Sequence, residues 1–169
     1  MLYIIDGNNL AGKLGLLGHE DFDKMLLVCL KDFFGSKQNR IILIFDSNDL
    51  MGDRFNDGLI EVVYTPRDEF YKNADDKVLE TVRLFLADEG FSDEIIIVTD
   101  DLDLTQKVNE SIVYHTKRNR VKTERSTDFA KRIELFEAAN SAKNDSDKKE
   151  LENDSKDLNA ELLKIWGKQ

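Results

Sequence analysis

Three apolar, β-branched runs each stop on an aspartate: LYIID over 2–6, IILIFD over 41–46, and EIIIVT over 94–99, which runs into DDLDL. No other feature constrains the fold as tightly. A short, continuous apolar run with polar flanks is the pattern of a strand covered on both faces. Between these runs the spacing turns helical. Phe22, Met25, Leu26, Cys29, Leu30 and Phe33 recur as one helical face from about Glu20 to Phe34, and Gly35-Ser36 closes that segment. A second helix is expected from an N-cap at Asn73 to about Glu89, with Gly90 as its stop signal. A further strand over Leu59–Thr65 ends at Pro66, the only proline. GNN and the glycines at 12, 15 and 18 read as a turn region, Ser111–His115 as a last short strand, and Thr127–Asn140 as a helix capped by Ser126 or Thr127. Strands alternating with helices predict an α/β fold around a parallel or mostly parallel sheet.

At 169 residues with 41% hydrophobic content, the chain suits one domain, 1–140, plus a tail, 141–169. SAKNDSDKKELENDSKD, which opens the tail, is too charged and too poor in large apolar residues to build a core. LNAELLKIWGKQ then regains amphipathic spacing through Leu158, Leu162, Ile165 and Trp166. It is expected to form a short helix that docks on the domain, on a second copy or on a protein partner. The single cysteine, Cys29, excludes a disulfide framework and a thiolate metal site. No apolar run approaches the roughly 20 residues that span a bilayer, so no membrane association is expected. MLYIIDGNN lacks the features of a signal peptide, and a reducing cytoplasm is the expected location.

In a parallel α/β sheet the carboxyl ends of the strands share one edge, where such folds place their active sites. Asp6, Asp46 and the group Asp100, Asp101 and Asp103 are therefore expected to converge. Crowded carboxylates repel one another, and a hard cation with oxygen ligands, Mg²⁺ or Mn²⁺, compensates them. At about 100° per residue, Asp75 falls on the apolar face of the helix that starts near Asn73, together with Val78, Leu79, Val82, Phe85 and Leu86. Asp76 points away, as a first-turn acid suited to capping. Each acid also has an ordinary reading: Asp6-Gly7 as a strand-to-turn junction, Asp46 in a loop of turn formers, and Asp100 as an N-cap with Asp101 and Asp103 in the first turn behind it. Their joint placement at strand ends favours a metal site.

The net charge of −10 opposes a polyanionic partner in bulk, but a carboxylate cluster that captures cations becomes locally neutral or positive. HTKRNRVKTER over 115–125 is a basic segment in this acidic chain. Read as a loop, it offers Lys117, Arg118, Arg120, Lys122 and Arg125 as candidates to hold backbone phosphates, with Lys13, Arg67 and Lys72 as weaker ones.

The order IIDGNN, IFDSND, NADDKV and IVTDDLDL, followed by RVKTERSTDFAKRIE, resembles the NYN branch of the PIN-like nucleases, and within it the bacterial YacP-like group, over about residues 1–137. The resemblance implies a three-layer α/β/α PIN-like fold with a mostly parallel central sheet. It also implies metal-dependent endonucleolytic hydrolysis of RNA. Carried over by motif, it implies that Asp6, Asp75, Asp101 and Asp103 are catalytic metal ligands, with Asp100 alongside. Asn9 matches the end of the opening motif, Asn8 replaces its tyrosine, and Asp46, like Asp76, stands as a supporting acid. Two rival readings follow from the residues. DLDLT over 101–105 also satisfies the DxDxT pattern of haloacid-dehalogenase-like phosphatases, although that motif should open its domain. The other rival is a catalytically silent PIN-like module that binds RNA or protein.

Overall fold

The computed structural model describes residues 1–35, 37–47, 52–66 and 73–142. Its elements in chain order are β1 (Leu2–Asp6), α1 (Gly7–Lys13), α2 (Phe22–Phe34), β2 (Arg40–Asp46), β3 (Asp53–Asp57), β4 (Ile60–Thr65), α3 (Ala74–Ala87), β5 (Ile95–Val98), α4 (Leu102–Ile112) and β6 (Val121–Glu124). A helix over 126–142, α5, follows. Met1–Ile133 forms one compact unit and Glu134–Gln169 a second; of the second, residues 134–142 are described and are helical. The amphipathic segment around Leu158–Trp166 lies outside the described residues, as do Arg67 and Lys72.

The first unit holds a six-stranded sheet in the order β3-β4-β2-β1-β5-β6. Every neighbouring pair is parallel except β3 with β4, which form an antiparallel hairpin. This is the mostly parallel three-layer arrangement expected. Its layers follow from chain direction. The connection from β1 to β2 runs one way along the sheet, while β4 to β5 and β5 to β6 run the other, so right-handed crossovers put α1 and α2 on one face and α3 and α4 on the opposite one. Ile4, Ile42, Ile44, Val63 and Ile97 pack beneath Val78, Val82 and Leu86 of α3 and Leu104, Val108 and Ile112 of α4. The other face is aromatic: Tyr3 lies 4.9 Å from Phe34 and 6.0 Å from Phe129 of α5, and Phe22 lies 5.8 Å from Phe45, mostly in edge-on or tilted pairs.

Several sequence expectations are corrected. Residues 7–13, expected as turn, form α1, since the Asp6 side chain caps it and Leu10 and Ala11 are fully buried. Ser111–His115 is not a strand. α4 continues to Ile112 because Leu104, Val108 and Ile112 keep one helical face buried. The last strand is instead β6, inside the basic segment read as a loop. Neither Ser126 nor Thr127 caps α5, because both lie within it and the first helical bonds, from Asp128 and Phe129 N–H, go to the Arg125 carbonyl.

Candidate functional site

The direction of the connections reverses between β1 and β5, a switch point of the kind at whose strand carboxyl ends α/β sheets place their sites. Asp6 ends β1 there, and Thr99, Asp100 and Asp101 follow β5. Register sets which side chains share a face. Asp6 pairs with Ile44 and Asp46 with Thr65, so Asp6, Asp46 and Thr65 all lie on the α3/α4 face. Thr99 joins them, its hydroxyl donating to Asp6 Oδ2 at 3.3 Å.

Three of these acids cap helices. Asp6 Oδ1 accepts from Asn9 N–H at 3.0 Å at the start of α1. Asp46 Oδ1 accepts from Ala74 N–H at 2.6 Å at the start of α3. Asn73 occupies the expected N-cap position, but its own side chain makes no capping bond, so α3 is capped from β2. Asp101 Oδ1 accepts from Asp103 and Leu104 N–H at 2.8 and 3.0 Å, which makes Asp101, not Asp100, the cap of α4. The positive ends of three helices thus face one edge of the sheet.

The two asparagines of GNN clip that edge together. Asn8 Oδ1 accepts from Asp46 N–H at 3.1 Å, and Asn9 Oδ1 accepts from Asp100 N–H at 3.3 Å, so α1 holds the ends of β2 and β5 on either side of β1. Gly7 is required by close approach rather than by turn geometry. A Cβ there would stand 2.5 Å from the Phe45 ring and 2.9 Å from the Ile44 carbonyl oxygen.

Capping does not account for Asp75. It sits in the first turn of α3, half-buried, and its contact with Asn73 Nδ2 is long at 3.4 Å. Burial raises its pKa, as do the charges of Asp101, Asp46 and Asp76, with Lys107 opposing them. Asp6, 8% exposed, is pushed up to about 6, first by burial and then by Asp75 and Asp46, against the lowering bonds from Asn9 and Thr99. The charge of Asp46 thus bears on both Asp6 and Asp75, that of Asp75 on Asp6, and that of Asp101 on Asp75. Asp76 shares the first turn of α3, and Asp103 is exposed on the first turn of α4.

Asp100 is handled differently. Burial works to raise its pKa, but bonds from the Thr127 hydroxyl, Lys13 and Thr127 N–H outweigh burial and hold it at about 2. Lys13 Nζ lies 3.1 Å from Oδ2, and Arg125 Nε lies 3.4 Å from Oδ1. The basic segment is divided by β6. Arg125 reaches the acidic edge, whereas Lys117 donates to the Asp88 and Phe91 carbonyls and Lys122 pairs with Glu94 at 2.5 Å, both by the start of β5 at the opposite edge. Arg118 and Arg120 precede β6 at that same far edge. Thr99, Lys107 and the Lys13–Asp100 pair escaped sequence reasoning. The only local signal was a threonine ending the third apolar run in phase with the site face.

The donor chemistry suits a hard divalent cation: every candidate ligand is a carboxylate, Asp46 and Asp101 each spend one oxygen on capping, and Asp75 raises the pKa of Asp6. Among the described residues, no group of three or more His, Cys, Asp or Glu side chains is placed to hold a metal ion. Among those residues no helix is long and apolar enough to cross a membrane.

A crystal structure of Rae1 (YacP) from Bacillus subtilis matches over 82% of this chain and 77% of that one, with a TM-score of 0.58 and 17% sequence identity. The chain has a YacP-like fold. No family model and no curated protein matches its sequence. At 17% identity the likeness to Rae1 speaks for the architecture, and the chemistry rests on the acidic edge itself.

Proposed function

We propose that the chain is a divalent-metal-dependent ribonuclease that hydrolyses RNA phosphodiester bonds endonucleolytically. The observation that carries this reading is the pair Asp6 and Asp75, two desolvated carboxyls from different elements at the switch point of an α/β sheet, both raised in pKa first by burial and then by neighbouring carboxylates. The YacP-like fold and the order of the acidic motifs support it.

Asp6, Asp75 and Asp101 would hold Mg²⁺ or Mn²⁺, with Asp103 beside them on α4. Bound there, such a cation supplies an activated water and charge neutralisation at the leaving oxygen. The chain's own residues do the positioning. Asp46 fixes the start of α3 and hence Asp75, while Asn9 and Thr99 fix the Asp6 carboxylate.

The test is incubation of purified protein with labelled single-stranded and structured RNA, with and without Mn²⁺, beside Asp6→Asn and Asp75→Asn. Mn²⁺-dependent cleavage lost in both variants is expected. Cleavage unchanged in either variant sinks the proposed site, and turnover of a small phosphate monoester without RNA cleavage sinks the nuclease reading. Calorimetry of Mn²⁺ with wild type and Asp101→Asn separates an enzyme from a silent module, which would show no binding that depends on Asp101.

A further inference from the structure

Asp100 is the one acid of the edge that is saturated with donors. Lys13 comes from the end of α1 and Arg125 from the turn into α5, and both converge on its carboxylate with the Thr127 hydroxyl and N–H. Two cations meet one anion, so the cluster keeps about one positive charge in a chain whose net charge is −10. The cations are reachable and the acid is not: the Lys13 and Arg125 side chains are 43% and 70% exposed, against 13% for Asp100. The cluster is also wired to the reactive edge, since Asn9 accepts from Asp100 N–H and donates its own N–H to Asp6. A cation pair is thus held one asparagine away from Asp6.

We infer that Lys13 and Arg125 form the subsite that grips an RNA backbone phosphate beside the acidic edge, with Asp100 as the internal anion that holds both side chains in place and moderates their grip. The inference rests on the reading above that this edge acts on RNA. The cation pair answers the objection raised by net charge. A phosphate approaching Asp6 and Asp75 meets repulsion, and a positive pair linked to Asp6 through Asn9 gives the strand a local anchor. Arg125 supplies a planar fork and Lys13 a point charge, a combination suited to a phosphate with several acceptor oxygens.

The test is fluorescence anisotropy of a labelled single-stranded RNA against salt concentration, in EDTA, so that binding is read apart from metal and cleavage. Each of Lys13→Gln and Arg125→Gln is expected to weaken binding and to flatten the slope of log K against log salt by about 0.7, the increment for one phosphate contact on a single strand. Lys13→Arg and Arg125→Lys, which keep the charge and the ion pair, should retain most of the wild-type slope. Asp100→Asn should tighten binding, the opposite of what a merely structural acid would do. Lys31→Gln, which breaks an ion pair with Asp57 elsewhere on the sheet, is the control. Wild-type slopes in both glutamine variants overturn the inference, as does an equal loss in Lys31→Gln. Binding that depends on Lys13 and Arg125 without Mn²⁺-dependent cleavage overturns the nuclease reading and leaves the subsite standing. Cleavage indifferent to both cations does the reverse.

Discussion

Replacing Asp6 by Asn is expected to stabilise the metal-free protein at neutral pH, although the residue is assigned to the catalytic edge. Its carboxyl is carried from 3.8 to about 6 by burial and by Asp75 and Asp46. Below 3.8 the folded and unfolded chains both hold the proton. Between 3.8 and about 6 only the folded chain holds it, so stability falls as pH rises through that window and stays reduced above it. At about 1.36 kcal/mol per pH unit the loss amounts to about 3 kcal/mol, and Asp6 is buried deeply enough that solvent screening removes little of it. Asparagine is nearly isosteric, keeps an oxygen for Asn9 N–H, and turns an amide donor toward the Thr99 hydroxyl. Comparing the two proteins at two pH values cancels those fixed differences. Urea unfolding in EDTA should find the stability gap between Asp6→Asn and wild type widening in favour of the variant by about 2.4 kcal/mol from pH 4 to pH 7, the rest of the loss having already occurred by pH 4. With excess Mn²⁺ the gap should narrow, because a bound cation compensates the ionised carboxylate that the variant lacks. A gap that is constant with pH would refute the claim that burial, with Asp75 and Asp46 beside it, raises the Asp6 carboxyl.

Gly7→Ala forces a methyl into the Phe45 ring and the Ile44 carbonyl, and should cost about 1–3 kcal/mol by thermal or urea unfolding, with part recovered when Phe45 is shortened to Leu. Asp46→Ala removes the cap that α3 receives from β2 and should cost about 1 kcal/mol, while Asp46→Asn keeps an acceptor and most of the stability. Asn9→Ala leaves the Asp100 N–H without its acceptor and should destabilise by about 1–3 kcal/mol, with RNA cleavage falling more steeply than stability alone accounts for. Mn²⁺ at about 100 times its dissociation constant should raise unfolding free energy by about 2.7 kcal/mol in wild type, and Asp75→Asn should abolish most of that gain.

The sheet was legible where strands are buried on both faces, because β1, β2 and β5 leave no room for polar residues and so stand out as apolar runs. The edge strands were not. β3 is DRFND and β6 is VKTE, polar segments that pair on one side only and carry no apolar signature, so one was missed and the other taken for a loop. The placement of Asp75 was legible for a different reason, since helical phase is fixed by the apolar face that buries α3, and phase alone separated it from Asp76. The division of labour between Asp100 and Asp101 had no such local marker. Both follow the same strand, and what distinguishes them is that Lys13 and Thr127, far away in sequence, meet the first, while the backbone of α4 claims the second. Periodicity can therefore locate an acidic edge and orient a helix toward it. Which carboxylates stay uncompensated depends on long-range partners, and it is Asp6 and Asp75, buried among like charges, that make this edge more than a set of helix caps.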